Sequence, residues 1–119
     1  MLTTTIRTYE SATVVAPTGD IDREVSAEFR AVMQQAASRD RPLLVVDMAQ
    51  VSYLDSAGLA VLVSTHRSLQ VEQRLGLANV PRRMQRVLHD TAMGSLMQIH
   101  AAGEPWPWPD VPQSSSAAS

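Results

Sequence analysis

The sequence predicts a small α/β fold, in which a mixed β-sheet with a parallel core and an antiparallel N-terminal edge hairpin is covered by helices. Strand-like segments alternate along the chain with segments whose apolar residues recur every three or four positions, a pattern typical of parallel strands joined by helices. The predicted strand Leu43–Met48 opens with the unbroken apolar run Leu43–Val46, as expected of a central strand covered on both faces. The two strands before the first helix follow each other through a short turn, so we expect them to pair antiparallel.

Two strands are predicted ahead of the first helix. Residues 2–9 alternate weakly and are rich in threonine, which suits a half-buried strand. The second strand is predicted at Ala12–Ala16; it stops at Pro17 or lies at an edge, because proline cannot donate to a ladder. Thr18–Asp22 is predicted to be a turn in which Gly19 takes a backbone conformation that other residues avoid.

The first helix is predicted to start after this turn, capped by Asp22 or Ser26, and to end near Ser38. Its apolar face recurs at helical spacing. This face comprises Val25, Phe29, Val32, Met33 and Ala36. Pro42 then opens the central strand, which is predicted to end near Met48 and to be followed by a loop.

Two more helices and two more strands are predicted in the second half of the chain. The second helix runs from about Ser56 to Val71 and is followed by a strand at Leu75–Ala78. The third helix begins near Pro81, since proline suits the first helical position, and a last short strand spans Leu96–His100. The predicted apolar faces are Leu59, Leu62, Val63 and Leu69 in the second helix and Met84, Val87 and Leu88 in the third.

The stretch Val51–Leu59, between the central strand and the second helix, holds the candidate site. Asp55 and Ser56 fall at the start of a helix, where unpaired backbone N–H groups and the positive end of the dipole gather. One interpretation is an ordinary helix cap made by Asp55 or Ser56. The other is a phosphorylation site, because the same N–H groups suit an added phosphate. Local chemistry does not choose between the two.

Composition excludes several classes of protein. The chain has 119 residues, a formal net charge of −2 and no cysteine, so we expect one domain without disulfides, thiolate metal sites or a broad basic surface for nucleic acid. No apolar run is long enough to span a membrane and the N-terminus lacks the pattern of a secretion signal, so we expect a cytoplasmic protein with no membrane partner. Arg82, Arg83 and Arg86 fall away from the apolar face of the third helix, as a solvated face or a partner contact.

The C-terminal segment differs in composition from the rest of the chain. Prolines alternate with tryptophans and then give way to small polar residues, so a flexible tail is predicted over residues 103–119, following a domain at 2–102. Two alternatives are open for Trp106 and Trp108. They dock on the chain's own surface, or they bind a partner as part of an extended proline-rich segment.

Three motifs carry a resemblance to a known family. They are the turn Thr18–Asp22, the strand and loop Val46–Leu59, and the segment Leu77–Pro81 with Val87-Leu88 after it. Together with the order of the elements, they resemble the STAS domain family in its single-domain form, the anti-sigma factor antagonists (anti-anti-sigma factors). The resemblance covers roughly residues 2–101 and implies the STAS fold.

The resemblance implies a phosphorylation switch at Ser56, the serine that directly follows the motif aspartate. In this family an anti-sigma factor with serine kinase activity phosphorylates that position. The unphosphorylated protein is then expected to bind the anti-sigma factor and free a sigma factor, phosphorylation is expected to end the binding, and a serine phosphatase is a further expected partner. Some of the expected partner-binding residues come from a stripe at helical spacing, which also fits an ordinary solvent face. The full set is Asp22, Asp55, Ser56, Ala57, Gly58, Ala60, Ser64 and Arg67.

The sequence offers two alternatives to a phosphorylation switch, an enzyme or metal site and a scaffold that is not phosphorylated. An enzyme, a cofactor or a metal site is not expected, because Ser56 and His66 lie ten residues apart on one predicted helix, about 15 Å, too far for a nucleophile and its base. Four aspartates that could gather around a cation already have strand and turn roles; these are Asp20, Asp22, Asp47 and Asp55. The alternative is a STAS scaffold that is not phosphorylated, such as a stressosome-like component or a transporter-associated subunit.

Overall fold

The computed structural model describes residues 2–91 and 93–113. The strands in this part of the chain are β1 (Thr3–Thr8), β2 (Ala12–Ile21), β3 (Leu43–Asp47), β4 (Val51–Leu54), β5 (Arg74–Val80) and β6 (Gln98–Ala101). The helices are α1 (Ser26–Ala37), α2 (Ser56–Ser68) and α3 (Arg82–Asp90), with short 3₁₀ turns at Arg23–Val25 and Met93–Ser95. None of the helices described has the length and apolarity needed to cross a lipid bilayer.

The strands join in one mixed sheet, which confirms the predicted fold class. The sheet order is β1-β2-β3-β5-β6, and β4 pairs with β2 beyond the end of β3. β1 runs antiparallel to β2 at the edge of the sheet, whereas β2 and β3, β3 and β5, and β5 and β6 are parallel neighbours. Each parallel step needs a long crossover, which α1, α2 and α3 supply in turn.

The strand β4 and the length of β2 differ from the prediction. The loop expected after Met48 contains β4, and β2 continues through Pro17 to Ile21, where a turn was expected. The N–H of Gly19 donates to the carbonyl of Gln50 at 2.9 Å, so it points towards β4. Because N–H groups two residues apart in a strand point to the same side, the nitrogen of Pro17 also faces the side of β2 on which β3 and β4 lie. Pro17 lies in the gap between the residues that pair with β3 and those that pair with β4, so its missing N–H interrupts no ladder.

All three helices pack on one face of the sheet. Alternate residues of the central strands, including Leu44, Val46 and Leu77, point into this layer and form one apolar cluster with the helices. The helical residues fully or almost fully buried in the cluster are Phe29, Met33 and Ala36 of α1, Val61 and Leu62 of α2, and Met84 and Leu88 of α3. This layer positions the N-terminal ends of the helices above the carboxyl ends of the parallel strands.

The buried faces of α2 and α3 differ in detail from the predicted ones. Val61 and Leu62 are fully buried, whereas Leu59 and Val63 are only partly buried, so the buried face of α2 is rotated from the predicted one. α2 also ends at Ser68 rather than near residue 71. Val87 was predicted to be buried, but 40% of its surface is exposed.

The C-terminal segment covers the opposite face of the sheet. Trp108 and Val111 are buried there against strand residues that include Val14, Val45 and Ala78. A Cβ on Gly76 would lie 2.5 Å from Cζ2 of Trp108, so the indole rests where this glycine has no side chain. A flexible tail was expected from residue 103. Trp106, Trp108 and Val111 instead pack on the sheet, and residues 114–119 lie outside the described part of the chain. Both tryptophans dock on the chain's own domain.

Hydrogen bonds hold this segment at Glu104 and Trp108. Nδ1 of buried His100 accepts from the backbone N–H of Asn79 at 3.0 Å, so Nε2 carries the proton and donates to the carbonyl of Glu104 at 2.8 Å. The Nε1–H of Trp108 donates to Oε1 of Gln98 at 3.0 Å. These bonds tie the segment to β6, in addition to its apolar contacts with the sheet.

Candidate functional site

The candidate site lies where β4 ends and α2 begins, at the carboxyl edge of the parallel strands. Ser56 is the first residue of α2, and its side chain is exposed. In sheets of this type, the loops that follow the carboxyl ends of strands are the usual place for ligand contacts. The fold therefore presents the candidate phosphorylation residue at an accessible edge of the molecule.

Asp55 is the residue that caps α2. Its Oδ1 accepts from the backbone N–H of Ala57 at 2.9 Å and of Gly58 at 3.1 Å, and its Oδ2 accepts from the N–H of Arg23 at 3.2 Å. The Ser56 hydroxyl makes no hydrogen bond with any residue that the structure describes. The sequence left either Asp55 or Ser56 as the cap of α2, and in the structure the cap is Asp55. The hydroxyl of Ser56 is therefore free to react.

Tight packing fixes the position of this loop. The N–H of Asp55 donates to the carbonyl of Ile21 at 3.2 Å. Gly58 is buried, and a Cβ on it would lie 2.5 Å from Cδ1 of Leu54 and 2.9 Å from Cγ2 of Ile21. Only glycine lets the first turn of α2 approach the ends of β2 and β4 this closely. Gly58 therefore lies beneath the surface, whereas Ser56 above it is exposed.

Asp22 caps the turn beside the Ser56 loop. Its Oδ1 accepts from the N–H of Glu24 at 3.1 Å and of Val25 at 3.4 Å, so Asp22 rather than Ser26 caps this part of the chain. The N–H of Arg23, the next residue, donates to Asp55. The two aspartate turns are thus joined directly, and both carboxylates are half-buried beside the start of α2.

The stripe predicted along α2 is exposed along its whole length. Ala60, Ser64 and Arg67 lie on the same accessible side as Ser56. Nη1 of Arg30, on α1, donates to Oγ of Ser64 at 3.2 Å. Arg30 was not among the predicted site residues, because its proximity depends on how α1 packs beside α2 and no local sequence signal reports that contact.

On the other side of the loop, α3 packs beside β4. Nε of Arg83 donates to the carbonyl of Ser52 at 3.2 Å and Nη2 donates to the carbonyl of Val51 at 3.0 Å. Tyr53, between Ser52 and the loop, is 54% exposed. Arg83 was predicted to lie on a solvated face or in a partner contact. Its bonds to β4, and Tyr53 as a site residue, were not predicted, since β4 itself was expected to be a loop.

The arrangement suits a modification and docking surface. Ser56 and His66 lie ten residues apart on one helix, about 15 Å along the axis, so the imidazole cannot act as a base for the hydroxyl. Within residues 2–91 and 93–113, no group of three or more His, Asp or Glu side chains is placed to hold a metal ion. What the site offers is an exposed hydroxyl at a helix N-terminus, flanked by two capping carboxylates.

Comparison with known proteins decides the family. A family model described as "Mlab, STAS domain" matches residues 4–98, most of the chain. The chain belongs to the STAS domain family. An anti-sigma-B factor antagonist of Staphylococcus aureus is 31% identical over 90 residues, which covers 72% of this chain and 81% of the relative. A protein of the same name from Listeria monocytogenes is 28% identical over 82 residues, covering 68% of this chain and 72% of the relative.

Solved structures share the STAS fold of this chain. The crystal structure of an anti-sigma factor antagonist from Mycobacterium paratuberculosis has a TM-score of 0.79 at 23% identity, covering 99% of this chain and 93% of that one. The Bacillus cell fate determinant SpoIIAA, in its phosphorylated form, has a TM-score of 0.65 at 17% identity, covering 98% and 97%. The predicted resemblance to STAS anti-sigma factor antagonists is confirmed.

Proposed function

We propose that this STAS protein is an anti-sigma factor antagonist that is switched by phosphorylation of Ser56. Unphosphorylated, it binds an anti-sigma factor with serine kinase activity and so frees a sigma factor. Phosphorylation of Ser56 ends the binding, and a serine phosphatase restores it. The observation that carries the proposal is the Ser56 hydroxyl, which is exposed and free of hydrogen bonds to described residues, while Asp55 supplies the helix cap.

The position of Ser56 favours phosphate transfer. A kinase needs a hydroxyl that can reach its bound nucleotide, and here no hydrogen bond to a described residue has to break first. The added phosphate sits at the first residue of α2, where the helix dipole stabilises a negative charge by about 0.3–1 kcal/mol. The fold therefore tolerates the modification.

The surroundings of Ser56 explain why a phosphate would end binding. It adds about −1.5 to −2 charge at pH 7, directly beside Asp55 and close to the turn capped by Asp22. A partner fitted to a neutral hydroxyl meets like charge and added bulk. Like-charge contacts at an interface cost several kcal/mol, and each ~1.4 kcal/mol weakens affinity tenfold. Local repulsion is enough, and no refolding of the domain is required.

The comparisons support the same proposal. Curated relatives from Listeria monocytogenes and Staphylococcus aureus are named as anti-sigma-B factor antagonists. SpoIIAA, which shares this fold, has been solved in both an unphosphorylated and a phosphorylated form. The proposal carries this behaviour to Ser56 of the present chain.

Intact mass spectrometry tests the proposal. The wild-type protein, Ser56→Ala and Ser68→Ala are each incubated with ATP and every candidate anti-sigma kinase of the host. Ser68 is the matched control, an exposed serine at the other end of the same helix and outside the expected partner-binding residues. We expect one added phosphate on the wild type and on Ser68→Ala, and none on Ser56→Ala. A folded wild-type protein that gains no phosphate from any kinase would favour the non-phosphorylated scaffold instead.

A further inference from the structure

The first two turns of α3 carry a cluster of positive side chains at the end of the helix where the dipole is also positive. Arg82, Arg83 and Arg86 lie there, the first turn has no acidic residue, and Pro81 gives no side-chain cap. A dipole favours anions at this end of a helix, so the arginines do not serve helix stability. None of the three guanidinium groups pairs with a carboxylate among the described residues. This positive charge is therefore left unneutralised by the described part of the chain.

Arg83 joins this end of α3 to the strand that leads into the Ser56 loop. Its two hydrogen bonds go to the carbonyls of Val51 and Ser52 at 3.0 and 3.2 Å. β4 pairs with β2, and Arg83 binds carbonyls of β4 from α3. Arg83 thus has a structural partner, whereas Arg82 and Arg86 flank it with exposed side chains and no hydrogen bond to described residues.

The same area presents an exposed aromatic side chain. Tyr53 of β4 is 54% exposed and lies three positions before Ser56. Beside the strand, the three arginines line an open cleft of about 510 Å³. Tyrosine and arginine are, with tryptophan, the residue types enriched at the energetic centres of protein interfaces. We call the surface formed by Tyr53, Arg82, Arg83 and Arg86 the basic face.

We infer that the basic face is a second docking surface, continuous with the Ser56 loop, for an acidic segment of the anti-sigma factor. The inference rests on the proposed function and adds where and by what chemistry the partner is recognised. Unneutralised guanidinium groups select carboxylates, which they bind through paired N–H donors. Nucleic acid fits poorly, since the whole chain carries a net charge of −2 and the basic area is confined to one end of one helix.

The two docking surfaces have separate roles. The Ser56 loop carries the phosphate and so decides whether the complex persists. The basic face supplies long-range attraction, and exposed interfacial charges act mainly on the association rate and its dependence on salt. Phosphorylation therefore removes the complementary contact at the Ser56 loop, and its negative charge also weakens the attraction of the neighbouring basic face for an acidic segment.

The test is surface plasmon resonance with the anti-sigma factor that phosphorylates Ser56, at 50 mM and 500 mM salt. The variant is Arg82→Glu with Arg86→Glu, which spares Arg83 and its bonds to β4. The matched control is Arg7→Glu with Arg74→Glu, which makes the same charge change at two exposed arginines on β1 and β5. Unchanged thermal unfolding verifies that each variant is folded.

We expect the basic-face variant to bind at least about tenfold more weakly at 50 mM salt, mainly through slower association, with a smaller difference at 500 mM. We expect the control variant to retain at least a third of the wild-type affinity. Wild-type-like binding by the basic-face variant, with phosphorylation of Ser56 still abolishing binding, overturns this inference and leaves the proposed function standing. Failure of the unphosphorylated wild type to bind any anti-sigma factor overturns both. Loss of self-association or of binding to a DNA duplex, with anti-sigma binding unchanged, assigns the basic face to that other partner and also overturns the inference.

Discussion

Asp55 and Ser56 are neighbours at the start of α2, but they have different parts in it. Asp55 uses both carboxylate oxygens to accept three backbone N–H groups, from Arg23, Ala57 and Gly58. Those bonds complete the helix end and join it to the turn after β2. Because they do not involve Ser56, modification of its hydroxyl leaves the cap in place. A switch residue is most useful where the fold does not depend on it.

The first prediction concerns the cap. Asp55→Ala should lower the free energy of unfolding by about 1–2 kcal/mol in urea denaturation, because three backbone N–H groups lose their acceptor. Asp55→Asn keeps one oxygen for the helix and should lose less. Ser56→Ala should stay within about 0.5 kcal/mol of the wild type. A loss in Ser56→Ala as large as that in Asp55→Ala would mean that the serine is the cap.

The start of α2 could be predicted from the sequence, but its capping residue could not. The Asp-Ser pair before an apolar helical repeat was enough to predict a helix start near Ser56, and α2 begins there. Both residue types are good caps, so the sequence left the capping residue open. Arg30 and Ser64 are 34 residues apart in the sequence, and their contact joins two different helices. No local sequence pattern encodes such a tertiary contact.

The C-terminal segment has the role of a third layer. Helices cover one face of the sheet, and the residues that follow β6 cover the other. Alternating prolines rule out helix and central strand, which is why the sequence predicted a flexible tail. The sequence feature that accounts for the docking of Trp108 lies in β5 instead. Gly76 and Ala78 are small on the face that receives Trp108, while Leu75 and Leu77 are large on the helical face.

A prediction on this segment follows. Trp108 is only 6% exposed, so Trp108→Ala should lower the free energy of unfolding by about 3–5 kcal/mol. Trp106 is less buried, and Trp106→Ala should cost less. Urea denaturation followed by far-UV circular dichroism measures both without depending on the removed fluorophore. Near-wild-type stability of Trp108→Ala would contradict a structural role for the segment.

The elements that were predicted wrongly share a physical reason. In α2 the run from Ala57 to Val63 is apolar at every position, so helical periodicity allows more than one buried face, and contact with the sheet selects Val61 and Leu62. β4 is short and exposes Ser52 and Tyr53, so it lacks the pattern of a buried strand. Both were decided by tertiary packing, which outweighs local preference.

In the whole molecule, the packed apolar layers are separate from the surface that carries Ser56. Apolar layers lie on both faces of the sheet, whereas Ser56, the α2 stripe and the basic face lie on the surface. A phosphate at Ser56 changes the charge of that edge without entering either layer. The switch proposed here therefore works by altering what the surface binds, with the same fold in both states.

This separation predicts that phosphorylation barely changes stability. The free energy of unfolding of the Ser56-phosphorylated protein should lie within about 1 kcal/mol of the unmodified value, since the helix dipole and the nearby carboxylates act in opposite directions. Amide chemical-shift changes should be confined to the Asp22 turn, the Ser56 loop and the first turns of α2. Shift changes spread through β5 and β6 would instead indicate a global conformational switch.

The Ser56 switch is tested most directly by the affinity of the host anti-sigma factor for this protein with and without a phosphate on Ser56, measured by isothermal titration calorimetry. We expect the unphosphorylated protein to bind and phosphorylation to weaken binding by about 100-fold or more, equivalent to ~2.7 kcal/mol. Ser56→Ala should bind like the unphosphorylated protein, because its surface remains neutral. Equal affinities for the phosphorylated and unphosphorylated forms would contradict the proposed switch.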